Sequence, residues 1–190
     1  AWDLLQKDRK STAFEKLIHS FPGIEGKKIL AVILPGQTDD IHENPFEEFP
    51  LHKLLDAIKD DWFLITNSSD LLETAYQLPF EYKDSFGYVE TKESTDLLLY
   101  NADMLITNNS RYASIFSITK KPIYYLNYLK KFFGTYMQQY YPAMYLETIH
   151  ELLHIDFNNS ELSEEQEKFC QEFSYAPTKN PLETIKELFL

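Results

Sequence analysis

Five short apolar runs, each followed by polar or turn-forming residues, constrain the fold of this chain most strongly. They are Lys28–Leu34, Trp62–Thr66, Phe86–Glu90, Met104–Thr107 and Pro122–Leu126. Their hydrophobicity is continuous rather than alternating, which is typical of strands buried on both faces of a sheet. Stretches with the spacing of amphipathic helices lie between them, for example over residues 51–58 and 112–116. This alternation predicts an α/β fold, a Rossmann-like parallel sheet of about five strands with helices on both faces.

The length of 190 residues is that of one domain, or of one large domain with an appendage. We predict a Rossmann-like nucleotide-binding domain over residues 1–157. Residues 158–190 are predicted to form C-terminal helices that pack on the same domain, an acidic one over 161–172 and a second that begins at Asn180-Pro181. The first residue is Ala1 and the last is the apolar Leu190, which is compatible with a piece of a larger protein.

Charge and cysteine content exclude several classes of protein. Thirty acidic residues against 18 basic ones give a net charge of −12, and such a field repels phosphate backbones, so we expect no nucleic-acid partner. No apolar run approaches the roughly 18 residues of a membrane-spanning helix, so no transmembrane segment is predicted. Cys170 is the only cysteine, which excludes an internal disulfide and a cysteine-based zinc site. We assign no cofactor and no metal ligand.

One link between a strand and a helix has the residues expected of a ligand site. In open parallel sheets, ligands bind beyond the carboxyl ends of the strands. There the segment Thr107-Asn108-Asn109-Ser110-Arg111 leads directly into a helix, whose free N–H groups and partial positive charge favour a phosphate. Arg111 adds a bidentate donor, and Ser110 and Asn108 are predicted to cap the helix or to donate to the ligand. The alternative is an ordinary capped helix with a surface arginine.

Residues that follow the first two strands complete the predicted nucleotide site. Pro35, Gly36 and Gln37 come after the first strand, and Asn67 comes after the second. Neither G-x-G-x-x-G nor a P-loop occurs, and the chain has only five glycines, so NAD-dependent and ATP-hydrolysing chemistry is disfavoured.

Four motifs follow one another in the second half of the chain. In order they are Ala102-Asp103-Met104-Leu105-Ile106-Thr107-Asn108-Asn109-Ser110-Arg111, Lys120-Lys121-Pro122-Ile123-Tyr124-Tyr125, Phe133-Gly134-Thr135-Tyr136 and Pro142. This order resembles the C-terminal half of the CDP-glycerol glycerophosphotransferases of wall teichoic acid synthesis, with their a-D-x-L-I-T-D-Y-S-S, k-x-P-i-i-f-y and G-f-y segments and a proline. Upstream, residues 27–35 and 61–68 resemble two earlier strands of the same half. The likeness runs in order from Trp2 to Ile155.

The resemblance implies one half of a GT-B architecture, the half that holds the nucleotide of CDP-glycerol. By the same resemblance, the donor is CDP-glycerol or another nucleotide-diphosphate compound, and an acceptor-side N-terminal half or partner subunit is missing from this chain. The family works at the inner face of the cell membrane, so the expected location is cytoplasmic and peripheral to that membrane.

Departures from the family pattern fall on functional positions. Asn108 stands where the family has aspartate, Arg111 where it has a second serine, and Ile115 where it has a later aspartate. Gly36-Gln37-Thr38 replaces an expected arginine, and no histidine stands near Asn67. Without a general base the chain alone is expected not to catalyse transfer, so no catalytic residue is assigned. The alternatives are a nucleotide-side fragment of a divergent transferase and a non-catalytic relative kept for interaction.

A competing motif lies near the C-terminus. His150-Glu151-Leu152-Leu153-His154 matches H-E-x-x-H, in which two histidines on one helical face share a zinc ion and the glutamate polarises the bound water. The candidates for a third ligand downstream are Glu172 and Glu183. The other interpretation is that the histidines flank an apolar packing face formed by Ile149, Leu152 and Leu153.

Overall fold

A computed structural model describes residues 14–34, 44–128, 132–159 and 161–173 of the chain. Its sheet has six parallel strands in the order β3-β2-β1-β4-β5-β6. The strands are β1 Lys28–Ile33, β2 Trp62–Thr66, β3 Phe86–Tyr88, β4 Met104–Thr107, β5 Ile123–Leu126 and β6 Tyr145–Leu146. The Rossmann-like prediction is confirmed, and the sixth strand is a two-residue addition at one edge.

Helices cover both faces of this sheet. They are α1 over residues 14–20, α2 Leu51–Ile58, α3 Ser69–Tyr76, α4 Lys92–Asn101, α5 Ser110–Ser117, α6 Phe132–Tyr140 and α7 Glu164–Phe173. Short 3-10 helices lie at Pro22–Ile24, Phe80–Ser85, Pro142–Met144 and Ile149–His154. The long strand-to-strand crossovers that parallel pairing requires are supplied by these helices.

Two hydrophobic clusters, one on each face, form the core. Leu30 and Val32 of β1 face the first cluster, together with the apolar faces of α2 and α3. Ile29, Ala31 and Ile33 face the second cluster, to which α1, α4, α5, α6 and α7 contribute. Successive side chains of a strand point to opposite faces, so a strand that is apolar at every position needs a cover on both sides.

Helix α7 closes the second face near β5. Phe169 of α7 is fully buried and packs edge to face against Tyr141, with ring centroids 5.3 Å apart. The buried Gln166 side chain donates to the backbone oxygen of Ile123 at 3.3 Å, which ties α7 to the start of β5. The acidic helix predicted over 161–172 is therefore present, and it buries an apolar side. The helix predicted from Asn180 lies outside the described residues.

Asp103 joins three strands at the amino end of the sheet. One of its carboxylate oxygens accepts the backbone N–H of Ile29 at 3.0 Å, and the other accepts Lys121 Nζ at 2.7 Å. Lys121 also donates to the backbone oxygen of Ala102 at 2.7 Å. The aspartate of the Ala102-Asp103 motif and the lysine before Pro122 thus have a structural role, at the edge opposite the predicted ligand site.

We predict that Asp103→Ala lowers the free energy of unfolding by about 1–3 kcal/mol, because it leaves the Ile29 N–H without its acceptor and removes the ion-pair partner of Lys121. Urea denaturation followed by circular dichroism measures the change. Asp60→Ala is the matched control, since Asp60 is exposed and no hydrogen bond of its side chain is recorded in the structure. Equal stability of the two variants would contradict the structural role of Asp103.

Candidate functional site

The strand order reverses between β1 and β4, and this reversal defines the position of the site. After β1 the chain proceeds outward through β2 and β3, then returns to place β4 on the other side of β1. The connections leaving β1 and β4 therefore diverge to opposite sides and open a crevice beyond their carboxyl ends. Doubly wound α/β proteins bind ligands at such a switch point.

Side chains at the carboxyl end of β2 hold the end of β1 beside it and form one wall of the crevice. Asn67 accepts the backbone N–H of Leu34 on its Oδ1 at 2.8 Å. The Thr66 hydroxyl donates to the backbone oxygen of Val32 at 2.7 Å and accepts the N–H of Ser68 at 3.0 Å. Asn67 is predicted to contact the nucleotide, but its amide oxygen already accepts a hydrogen bond from the protein backbone. Pro35, Gly36 and Gln37 lie outside the described residues.

The start of α5 forms the opposite wall. Its N-cap is Asn109, whose Oδ1 accepts the N–H groups of Arg111 at 2.9 Å and Tyr112 at 3.4 Å. The predicted caps Ser110 and Asn108 were wrong, because Ser110 is already the first helical residue and Asn108 precedes the cap. Two of the N–H groups that a phosphate would use are occupied by Asn109.

Charge and polarity at this wall therefore come from side chains. Ser110 and Arg111 are both exposed, and Arg111 has no ion-pair partner within the part of the chain that the structure describes. An exposed guanidinium beside a helix start is chemically suited to a phosphate oxygen. The capped helix with a surface arginine is thus observed, and the binding of a ligand by Arg111 stays a prediction.

Asn108 directly follows β4 and is only 1% exposed. Its backbone oxygen accepts the Tyr125 hydroxyl at 2.8 Å. Its side-chain Oδ1 and Nδ2 are both buried, and among the described residues their one neighbour that could form a hydrogen bond is Tyr128.

Tyr128, two residues after β5, lies next to Asn108. Burial, and next the negative charge of Asp70, raise the pKa of Tyr128 to about 12, while a hydrogen bond with the Asn108 side chain acts to lower it. The Tyr128 ring packs against Phe46, with centroids 6.3 Å apart. Tyr128 and Asp70 were missed in the sequence, where only their positions just beyond β5 and in the first turn of α3 could have pointed to them.

Gly134 of α6 gives the carboxyl end of β5 its shape. A Cβ atom at this position would overlap the side chain of Asn127, the residue that directly follows β5. The Asn127 N–H donates to the backbone oxygen of Leu146 at 2.8 Å, and its side chain donates to the Tyr145 hydroxyl at 3.4 Å. The glycine of the Phe133-Gly134-Thr135-Tyr136 motif thus lets α6 approach the end of β5.

The H-E-x-x-H segment does not form the α-helix that the zinc prediction required. Ile149–His154 is a 3-10 helix, with about three residues per turn instead of about 3.6, so His150 and His154 do not stack on one face. Glu151 accepts the backbone N–H of Glu147 at 3.0 Å. Over the described residues, no three His, Cys, Asp or Glu side chains are placed to hold a metal ion.

The expected third zinc ligands do not complete a site either. Glu172 accepts the hydroxyl of Tyr141, and Glu183 lies outside the described residues. His150 packs its ring against Phe49, with centroids 6.1 Å apart. The interpretation in which this segment packs against the core is the one that the geometry favours.

A doubly wound α/β fold with a polar crevice at its switch point defines the class of protein. Within that class, the chain belongs to the CDP-glycerol:poly(glycerophosphate) glycerophosphotransferase family, whose model matches residues 2–179. It is 24% identical over 123 residues to the teichoic acid poly(ribitol-phosphate) polymerase of Bacillus spizizenii, a match that covers 63% of this chain and 20% of that protein.

Solved structures of the wall teichoic acid polymerase TagF share the fold. A histidine-to-asparagine variant matches with a TM-score of 0.66 at 17% identity, over 94% of this chain and 47% of that one. The same variant with CDPG matches with a TM-score of 0.58 at 17% identity, over 85% of this chain and 38% of that one. The chain therefore spans at most about half the length of these relatives. None of the described helices is long and apolar enough to cross a membrane.

We predict that Asn109→Ala lowers the free energy of unfolding by about 1 kcal/mol, because two N–H groups of α5 lose their acceptor. Asn109→Asp keeps an acceptor oxygen at the same place and is expected to retain the stability of the parent chain. Thermal and urea denaturation of the three proteins provide the comparison. If Asn109→Asp is as unstable as Asn109→Ala, the capping role is wrong.

Proposed function

We propose that this chain is the nucleotide-side part of a teichoic-acid-type glycerophosphotransferase, which binds CDP-glycerol or another nucleotide-diphosphate donor. The phosphates lie at the start of α5, against the side chains of Ser110 and Arg111. Thr107, Asn108 and Asn109 shape this wall, and Asn67 lies on the nucleotide side. Pro35, Gly36 and Gln37, outside the described residues, keep their predicted role as nucleotide contacts.

The observation that carries the proposal is the coincidence of an exposed, unpaired cation with the switch point of the sheet. Arg111 projects from α5, directly beyond the carboxyl end of β4, where ligands of doubly wound sheets bind. With a net charge of −12 the chain as a whole repels anions, so a phosphate needs a local positive group to bind. Family membership and the TagF structure with CDPG support the same type of ligand.

Transfer of the glycerophosphate group requires more than this chain supplies. An acceptor hydroxyl has to lose its proton as it attacks the phosphorus, which calls for a base within hydrogen-bond reach. The family resemblance leads one to expect a histidine near Asn67, and none stands there; Asn67 itself accepts the Leu34 N–H on its Oδ1. We therefore propose that the acceptor-side half, on the same or another chain, provides the base. We place the assembled enzyme in the cytoplasm at the inner face of the membrane.

Isothermal titration of CDP-glycerol into the purified chain tests the donor site. We expect micromolar binding, weakened about 10- to 100-fold in Arg111→Ala, because charge-assisted hydrogen bonds to phosphate are lost. Lys92→Ala is the matched control, since Lys92 is an exposed cation at the start of α4, which follows β3 at the same edge of the sheet. It is expected to leave the affinity unchanged.

Two outcomes would contradict this proposal. Equal losses in Arg111→Ala and Lys92→Ala would mean that CDP-glycerol responds to overall charge and not to a site at α5. No heat at millimolar CDP-glycerol would exclude a donor site in this chain and would favour the non-catalytic interaction module.

A further inference from the structure

The peptide group that connects β4 to the cap of α5 is held on both sides by buried hydroxyl groups. Its carbonyl oxygen, on Asn108, accepts the hydroxyl of Tyr125 at 2.8 Å. Its N–H, on Asn109, donates to Oγ1 of Thr107 at 3.2 Å. Thr107 is fully buried, and Tyr125 is only 1% exposed. We call this peptide group and its two hydroxyl partners the β4–α5 clamp.

The tyrosine of the clamp is fixed by its own surroundings. Tyr125 lies on β5, where it pairs with Thr107 of β4. Its ring packs edge to face against Phe133 of α6, with centroids 5.1 Å apart. Burial raises the pKa of Tyr125 to about 12, so the hydroxyl keeps its proton at neutral pH and acts as a donor to the clamp. The clamp therefore ties the start of α5 to a neighbouring strand.

The threonine of the clamp is the only polar residue of its strand. The other residues of β4 are Met104, Leu105 and Ile106, and all four residues are buried. Valine has a similar shape to threonine, so packing alone does not require a hydroxyl here. A buried hydroxyl costs free energy unless it is hydrogen-bonded, and the Thr107 Oγ1 accepts the N–H of Asn109. The polar atom of this strand is thus used to fix the clamp.

The clamp directly precedes the cation of the proposed donor site. Asn109 is the N-cap of α5, and its Oδ1 accepts the N–H of Arg111 at 2.9 Å. A fixed peptide group before the cap therefore also fixes the direction of the first turn, from which the Arg111 side chain leaves. This side chain is exposed and forms no ion pair with a described residue, so the backbone decides where its guanidinium lies.

We infer that Thr107 and Tyr125 are positioning residues of the proposed donor site, whose hydroxyl groups fix the start of α5 and so orient Arg111 toward the phosphates. This inference rests on the proposed function, because it assigns two buried residues a role in the same site. Thr107, which the sequence predicts as a nucleotide contact, acts through Asn109 and Arg111 instead. Tyr125 acts from β5 without contact to the ligand.

Tyr125→Phe and Thr107→Val test the clamp, because each variant lacks one hydroxyl and keeps a side chain of similar shape. Isothermal titration measures the affinity of the purified chain for CDP-glycerol. We expect each variant to bind about 3- to 10-fold more weakly than the parent chain, because a misplaced guanidinium makes poorer hydrogen bonds to phosphate. The two hydroxyl groups lie on different strands, so if one variant does not fold, the other still provides the test.

The same substitutions in the Arg111→Ala background separate positioning from a general structural effect. A residue that acts through Arg111 loses its influence on affinity when Arg111 is absent. Tyr125→Phe and Thr107→Val are therefore expected to cause no further loss of CDP-glycerol affinity in that background. A general structural effect would weaken binding by the same factor with and without Arg111.

Two matched controls remove buried hydroxyl groups elsewhere. Tyr82→Phe removes a hydroxyl that donates to Asp56 at 2.9 Å. Thr95→Val removes a hydroxyl on α4 that donates to the backbone oxygen of Thr91 at 3.0 Å. Both controls are expected to lower the melting temperature as the clamp variants do, because each loses a hydrogen bond. Both are expected to leave the CDP-glycerol affinity unchanged.

Three results would overturn the inference. Unchanged affinity in both clamp variants, or equal losses with and without Arg111, would mean that the clamp does not orient Arg111. The proposed donor site would then stand, since the parent chain still binds CDP-glycerol. Absence of binding by the parent chain would reject the donor site and the positioning role together.

Discussion

The central strand β1 is the element on which the rest of the structure depends, because it pairs with β2 and β4 and is apolar on both faces. Residues Ile29–Ile33 are at most 1% exposed. A strand of this kind is stable only when helices cover both sides of the sheet, and parallel neighbours require helical crossovers. The strand order then reverses beside β1. Because β2 and β4 lie on opposite sides of β1, the connections beyond β1 and β4 diverge and open a crevice lined by polar side chains.

Within the crevice, most polar groups are already used by the chain. Asn67 accepts the Leu34 N–H and Asn109 accepts two N–H groups of α5, so these asparagines position the backbone first. Asn108 is also buried, and its side chain lowers the pKa of Tyr128 through a hydrogen bond. The exposed Arg111, by contrast, has no ion-pair partner among the described residues.

Much of the fold could be predicted from the sequence, and less of the site. Five continuous apolar runs correspond to β1–β5, because a strand buried on both faces has to be apolar at every position. The two-residue β6 has too few residues to show a pattern. The predicted caps of α5, Asn108 and Ser110, lie one residue before and one residue after the actual cap, Asn109. The sequence does not distinguish them, because asparagine and serine have similar capping preferences. The spacing of the H-E-x-x-H segment is compatible with an α-helix, yet its backbone forms a 3-10 helix that buries Ile149 and Leu152.

By itself the sequence determined five of the strands and their parallel arrangement, because these depend on the order and continuity of apolar residues along the chain. Only the tertiary structure decided which polar residues hold the backbone and which stay exposed. Asp103 and Lys121, which precede β4 and β5, form an ion pair, and Tyr128 beyond β5 lies close to Asn108 and to Asp70 of α3. Hydrogen-bond partners and burial arise from contacts between distant segments, and local sequence spacing does not encode them.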